Sequence, residues 1–239
     1  MKIALITGAG RKTGLGFETA RQLGQHDYHV ILSGRKAEQL ENLTTELINE
    51  GLSASFIKMD VNSSQEVLRA SKKVEAQYGK LDVLINNAVL FGGSQAAELQ
   101  DLAEMKLLFE TNVLGPWNVT QKFLPLLRKS AEPRIVNVSS GAGSFEDPQY
   151  GLLTGMEGIP VSGYGLTKLA LNGLTIKMAR ELAKDNIIVN AVCPDVTDTY
   201  SDGYGRSISD GAKGIVWAAM LPSDGPSGGF FRDGEVLPW

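Results

Sequence analysis

One cysteine and two histidines in 239 residues leave little for disulfide or soft-metal chemistry. Cys193 has no partner for an internal bridge, and His26 with His29 does not make a ligand cluster, so no metal site is expected. The formal charge is −4, and no run of lysine and arginine is interleaved with aromatics. That argues against a nucleic-acid groove. No apolar run nears the ~18 residues of a membrane span. The short apolar opening at residues 2–6 runs straight into a glycine loop, leaving no room for a signal peptide's apolar region and cleavage site. The reading is a cytoplasmic protein without nucleic-acid or membrane partners. Cys193 follows the β-rich run at 187–192 with no histidine or basic neighbour in sequence, so it reads as a buried core thiol.

What the sequence does have is enough apolar material, 43%, for a sizeable core. One domain over residues 1–239 is expected. Short β-rich runs at 3–6, 28–32, 54–57, 81–85, 134–138 and 187–192 read as strands. Segments with apolar residues recurring near 3.6 separate them: 14–25, 37–50, 64–78, a pair within 99–129, and 161–184. Val67, Leu68, Val74 and Tyr78 approximate one stripe of the third, with Ser63 or Ser64 as its cap. Parallel strands need crossovers, and right-handed crossovers place helices on both faces. The fold expected is therefore α/β, a doubly wound (Rossmann) parallel sheet, with a last strand-like segment near the end of the chain returning to the sheet edge.

Residues 7–16, TGAGRKTGLG, hold four glycines between the first strand and the first helix. In such sheets this turn is the usual phosphate site, because glycine lets the backbone approach a pyrophosphate and the helix start offers free N–H groups. Gly8, Gly14 and Gly16 suit that role, with Gly10 an extra. A strand that binds NAD usually ends in an acid for the ribose 2′-hydroxyl. Here Gly34 and Arg35 stand there, with Arg11 and Lys12 in the glycine loop. Two or three cations facing a phosphate favour NADPH as the cofactor.

Tyr164 and Lys168 share one helix face at i, i+4. A cation about 4 Å from a phenol is worth roughly 4 kcal/mol at an effective dielectric near 20. That is about three pKa units, enough to bring a tyrosine from ~10 to near ~7. Asn86, Asn87 and Ala88 directly follow the fourth strand, Asn112 stands in a Thr-Asn-Val-Leu-Gly stretch, and Ser139 and Ser140 directly follow the fifth. On Thr7, Gly8, these motifs and the Tyr164/Lys168 pair, the chain strongly resembles the short-chain dehydrogenase/reductase family. The missing acid after strand two, the lengthened segment before Tyr164 and the short one after Thr199 look like its carbonyl-reductase-like branch.

The resemblance implies Tyr164 as the acid that protonates a carbonyl oxygen, with Lys168 lowering its pKa and holding the nicotinamide ribose. It implies Ser140 as a donor to the substrate oxygen and Asn112 as the holder of a water that relays protons to Lys168. It places Asp60 and Val61 at the adenine, Asn87 beside the adenosine ribose, and Ala88 and Leu15 among the cofactor contacts. Pro194, Thr197 and Thr199 fall near the nicotinamide carboxamide or the diphosphate. The implied partner is a small-molecule carbonyl substrate (ketone, aldehyde or quinone). Oxidation of a secondary alcohol by the same residues, and a redox sensor that reads NADP without turnover, are the alternatives. The sequence does not choose between monomer and homo-oligomer.

Three departures stand out. Five residues separate Gly8 from Gly14, a longer spacing than the family's usual one. The family's glycine after Asn-Asn-Ala is Val89, and its glycine after the strand-six proline is Asp195, expected to turn to solvent. Residues 141–160 form a long glycine-rich loop expected to wall the substrate site. Phe145, Tyr150, Leu152, Leu153 and Met156 are candidates to line an apolar pocket with Phe91 and Trp117.

Overall fold

Apolar strand residues with no polar alternation require burial on both faces. In the computed structural model, which describes residues 1–154 and 162–239, this is what the strands find. β1 (Lys2–Ile6), β2 (Tyr28–Gly34), β3 (Ala54–Lys58), β4 (Val83–Asn86), β5 (Arg134–Val138), β6 (Ile188–Val192), β7 (Phe230–Arg232) and β8 (Glu235–Val236) form one sheet in the order β3-β2-β1-β4-β5-β6-β7-β8. All pairings are parallel except β7 with β8. The returning segment near the end of the chain thus supplies the expected edge strand and adds a hairpin to it. The order reverses between β1 and β4, and such a reversal opens a crevice at the carboxyl ends of the strands.

α1 (Leu15–Gln25), α2 (Ala37–Asn49) and α7 (Ile208–Ala219) cover one face. Phe17, Leu23, Leu40, Leu47, Ile215 and Val216 form a core there with Ile6, Leu32 and Ile85. α3 (Ser64–Tyr78), α5 (Gly115–Leu127) and α6 (Ser162–Leu182) cover the other, where Val67, Phe123, Leu171 and Met178 meet Leu5, Leu84 and Val189. α4 (Leu102–Phe109) precedes α5. The two are joined by a π turn, Glu110–Leu114, in which the Gly115 amide reaches the Glu110 carbonyl five residues back.

In α3, Ser63 is the cap, its Oγ accepting from the Glu66 amide at 3.3 Å, and Gly79 ends the helix at φ +74°. Ala70 and Ser71 complete the buried stripe with Val67 and Val74, whereas Leu68 faces out at 42% exposure, against the expected stripe. The sequence reading also missed α7. Gly211 and Gly214 interrupt its helical pattern, and Gly211 is there for packing: a Cβ on it would stand 2.5 Å from Thr197 Oγ1. Met156 and Val161, assigned above to the pocket and to a helix start, lie outside the described residues.

A buried polar ladder sets α6 against the sheet. Asn86 Nδ2 donates to Asn137 Oδ1 (2.8 Å), Asn137 Nδ2 to Thr175 Oγ1 (2.8 Å), and Thr175 Oγ1 to the Leu171 carbonyl (2.8 Å). Misplacing α6 would strand several of these groups, at about 1–3 kcal/mol each. This fixes the helix that carries Tyr164 and Lys168.

Candidate active site

Ser140 follows β5, and its Oγ accepts from the Ala142 amide at 3.2 Å, starting a short 3-10 turn. Its neighbour Ser139 turns inward, donating to Asn172 Oδ1 at 2.6 Å, while Asn172 Nδ2 donates to the Gly143 carbonyl at 2.9 Å. Ser140, together with Tyr164, lines a cleft of about 580 Å³ at the carboxyl edge. Of the serine pair, it is the one positioned to touch a ligand.

Tyr164 is half-buried, with the Phe91 ring against it at a centroid distance of 5.0 Å. Lys168 is 2% exposed, and its Nζ donates to the Val138 carbonyl at 2.7 Å and lies 5.5 Å from the Tyr164 ring centroid. Burial pushes the Tyr164 phenol well above its ordinary value, reinforced by the nearby Cys193 sulfur and partly offset by the Ser140 hydroxyl. Burial brings the Lys168 ammonium down to about 8. The expectation that lysine draws the phenol down to near 7 is therefore not met. Loss of hydration is the largest influence on both groups.

Asn112 sits in the π turn, almost fully buried. Its Oδ1 accepts from the Leu90 amide (2.8 Å), and its Nδ2 donates to the Leu90 carbonyl (2.9 Å) and to Thr167 Oγ1 (3.0 Å). Thr167 Oγ1 in turn donates to the Tyr164 carbonyl at 2.7 Å. The side chain thus braces the segment after β4 against α6. Thr167, one helical turn from Tyr164, is a supporting residue that the sequence reading missed.

The glycine loop is built around Thr7 and Asn87. Thr7 Oγ1 accepts from the amides of Asn87 and Ala88 (3.0 Å each), and Asn87 Nδ2 donates to the Thr7 carbonyl at 2.8 Å. Gly8 adopts φ +68°, and a Cβ there would stand 2.6 Å from Ala88 Cα; one on Gly16 would stand 2.6 Å from Asn87 Nδ2. Gly10, by contrast, has only Leu40 and Gln39 atoms near 4 Å. Gly14 caps α1 without a side-chain hydrogen bond, so the helix start has no side-chain acceptor on its first amides. Arg35 is exposed at the end of β2. The guanidinium carbon of Arg11 lies 4.8 Å from the Tyr200 ring centroid, and Lys12 pairs with Glu46 of α2 at 2.7 Å.

Beyond β3, Asp60 Oδ1 accepts from the Asn62 amide (3.0 Å), and the Val61 carbonyl accepts from Asn118 Nδ2 (2.9 Å). Leu15, Pro194, Thr197 and Thr199 line the cleft with Phe91, Tyr150 and Leu152. Phe145, Leu153 and Trp117 do not line it and are 47%, 74% and 44% exposed.

Asp195 also lines the cleft rather than facing bulk solvent. It adopts φ +59°, the left-handed conformation that glycine takes readily and aspartate tolerates, and its Oδ1 accepts from the Val196 amide at 2.8 Å. Cys193 is buried as expected, but it does have a basic neighbour in space. Arg232 Nη2 lies 3.5 Å from its Sγ. Val89 takes no positive φ, so the turn is made without glycine's angles. Among the described residues no group of three His, Cys, Asp or Glu stands together to hold a metal, and no helix is long and apolar enough to cross a membrane.

A family model described as short chain dehydrogenase matches residues 2–207. This chain belongs to that family. It is 31% identical to carbonyl reductase [NADPH] 1 of Mus musculus over 99% of this chain and 98% of the relative. It is 36% identical to the short-chain dehydrogenase anuI of Penicillium roqueforti, over 91% of this chain and 88% of the relative. Among solved structures, an actinorhodin polyketide ketoreductase with NADPH superposes at a TM-score of 0.82 with 27% identity, covering 98% of this chain and 97% of that one.

For a short-chain dehydrogenase, the expected residues are brought to one edge: the glycine loop after β1, Arg35 after β2, Asp60 after β3, Asn87 after β4, Ser140 after β5 and Pro194 after β6. An uncapped helix start beside exposed arginines suits phosphate groups. The residues present therefore fit a phosphorylated dinucleotide. Lys12, held by Glu46, is the member of the basic set already occupied.

Proposed function

We propose that this single-domain protein is an NADPH-dependent carbonyl reductase whose proton donor is Tyr164. The observation that carries the reading is that Ser140 and Tyr164 line a largely apolar cleft together with Leu15 at the uncapped start of α1, with Lys168 buried behind the phenol. Similarity over nearly the full length of the mouse carbonyl reductase supports it. NADPH would be held by the glycine loop, by Arg35 with Arg11 at the 2′-phosphate, by Asp60 and Val61 at the adenine and by Asn87 and Ala88 at the ribose. Pro194, Thr197 and Thr199 would hold its nicotinamide end. When bound it supplies the hydride.

The chain's own residues handle the proton and the charge. Ser140 Oγ donates to the substrate oxygen and stabilises the negative charge that grows there. Tyr164, kept protonated by its burial, passes its Oη proton to that same oxygen. At neutral pH the phenol therefore stands in its protonated form, the form that carbonyl reduction consumes. Lys168, charged near neutrality, sits behind the phenol to supply the next proton and to hold the ribose. The side chain of Asn112 is engaged with Leu90 and Thr167, so a relay water at this position rests on its backbone carbonyl, in a π turn whose altered bonding is common at functional sites.

The test is NADPH oxidation with a panel of quinones, diketones and aromatic ketones, NADH in parallel, for the unaltered protein and Tyr164→Phe. Turnover that requires Tyr164, with NADPH binding intact in the variant, is the expected result. Unchanged activity in Tyr164→Phe would refute the assignment.

A further inference from the structure

The segment at residues 144–154 supplies two walls of the cleft, Tyr150 and Leu152. Nothing regular holds it, so the question is what does. Beneath it lies Asp147, 0% exposed. Its Oδ1 accepts from the amides of Gln149 and Tyr150, at 2.9 Å each, and its Oδ2 accepts from Arg232 Nη2 at 2.6 Å. A carboxylate buried this deeply is tolerated only with a counter-charge. The turn that presents Tyr150 therefore depends on a guanidinium from β7, 85 positions away in sequence.

Three further observations converge on Arg232. Its guanidinium carbon stands 5.6 Å from the Tyr150 ring centroid, within cation–π reach. Its Nη2 lies 3.5 Å from Cys193 Sγ at the cleft floor. A Cβ on Gly141 would stand 2.7 Å from Arg232 Nη2 and 2.8 Å from Asp147 Oδ2, so glycine next to Ser140 is what makes room for the pair. The same segment is tied to the chain beyond β8: Ser144 Oγ donates to the Pro238 carbonyl (2.8 Å) and the Phe145 amide to the Trp239 carbonyl (2.9 Å). The Trp239 ring stacks on Phe230 of β7, centroids 5.5 Å apart.

We propose that Arg232 is a positioning residue for substrate binding: through Asp147 it holds the 144–154 segment in place, and with it Tyr150 and Leu152, as a wall of the cleft. Among the described residues no hydrogen bond joins Arg232 to Ser140, Tyr164 or Lys168, so its loss loosens the wall without removing a reacting group. The inference rests on the carbonyl-reductase reading of the cleft.

The experiment compares full-length Arg232→Met, Arg232→Lys and Asp147→Asn with the unaltered protein by amide hydrogen exchange, steady-state kinetics on a bulky aromatic ketone or quinone, and NADPH titration. In Arg232→Met the amides of 144–154 should exchange about tenfold faster while the sheet is unchanged. KM for the carbonyl should rise about tenfold, with kcat within about threefold and the NADPH Kd within about twofold. Arg232→Lys should recover most of the KM, because it keeps a charge for Asp147. Asp147→Asn should follow Arg232→Met in KM. Unchanged exchange in 144–154, or a loss of kcat at constant KM, would overturn the proposal. If Arg232→Met does not fold, exchange and KM in Asp147→Asn decide it by the same criteria. If the unaltered protein reduces no carbonyl, the reading of the site fails, and the exchange comparison still decides the role of Arg232.

Discussion

Raising the pH from 7 to 9 should strip the charge from Lys168 while leaving Tyr164 protonated. With its ammonium brought down to about 8 by burial, Lys168 is about 90% charged at pH 7 and about 10% at pH 9. A lysine at its ordinary value would stay almost wholly charged over that range. If the charged form holds the ribose and feeds the proton chain, kcat/KM for NADPH, which reports groups of the free protein, should fall about ninefold between those two values. Lys168→Arg, which keeps its charge throughout, should show a lower but flat profile. Stability should move the other way. The folded value lies below the unfolded 10.5, so the unfolded chain binds more protons between 8 and 10.5. The fold therefore gains about 3 kcal/mol as pH climbs through that window. The measurement is a pH series of initial rates at limiting NADPH, paired with urea unfolding at pH 7.5 and 10. A flat profile in the unaltered protein, or the same fall in Lys168→Arg, would refute the role given to the charge.

Arg35→Asp should lower the preference for NADPH over NADH, as a ratio of kcat/KM, by about tenfold or more, since a charge-assisted bond to phosphate is replaced by repulsion; an unchanged ratio would remove Arg35 from the 2′-phosphate site. His29 is predicted to make the fold acid-sensitive. Its ring bonds Ser53 Oγ (2.7 Å), Ser55 Oγ (2.8 Å) and the Tyr78 hydroxyl (2.8 Å), and burial lowers its pKa. The unfolded chain therefore takes up the proton first, so this contribution is complete above about pH 6.5 and is lost as pH falls toward the folded value. Urea unfolding at pH 7.5, 6 and 5 should show a steeper loss for the unaltered protein than for His29→Gln, and parallel curves would contradict this.

The parts of the fold legible in the sequence are those where one local rule acts alone. β1 matches the predicted residues to within one position because a buried parallel strand is a continuous apolar run. α3 spans the predicted residues 64–78, with Ser63 as its cap. α7 was hidden because Gly211 and Gly214 break its helical pattern, and Gly211 answers to Thr197, a contact that does not exist until the chain has folded. Ser140, Tyr164 and Lys168 were legible because strand ends and helix spacing place them. Their electrostatics were not, since burial depends on everything packed around them. The Asp147–Arg232 pair joins positions 85 apart and leaves no local pattern at all.

The glycines of the first loop separate two demands that the sequence merges. A pyrophosphate asks for open backbone, and the protein's own packing asks for missing Cβ atoms. Gly16 answers to the second: an added Cβ would meet Asn87 Nδ2 at 2.6 Å and the Gly8 carbonyl at 3.0 Å, displacing the amide that holds the Thr7 carbonyl. Overpacking of this kind costs about 1–3 kcal/mol. Gly10 has nothing closer than 3.9 Å and no left-handed φ, so alanine fits there. Gly16→Ala should therefore lower the stability of the protein by about 1–3 kcal/mol with no dinucleotide present. Gly10→Ala should stay within about 0.5 kcal/mol, and any loss in NADPH affinity there reports approach of the ligand itself. Equal stability of the two variants in urea would mean that both glycines serve the ligand alone, and that the Thr7–Asn87 bracing contributes nothing to the loop.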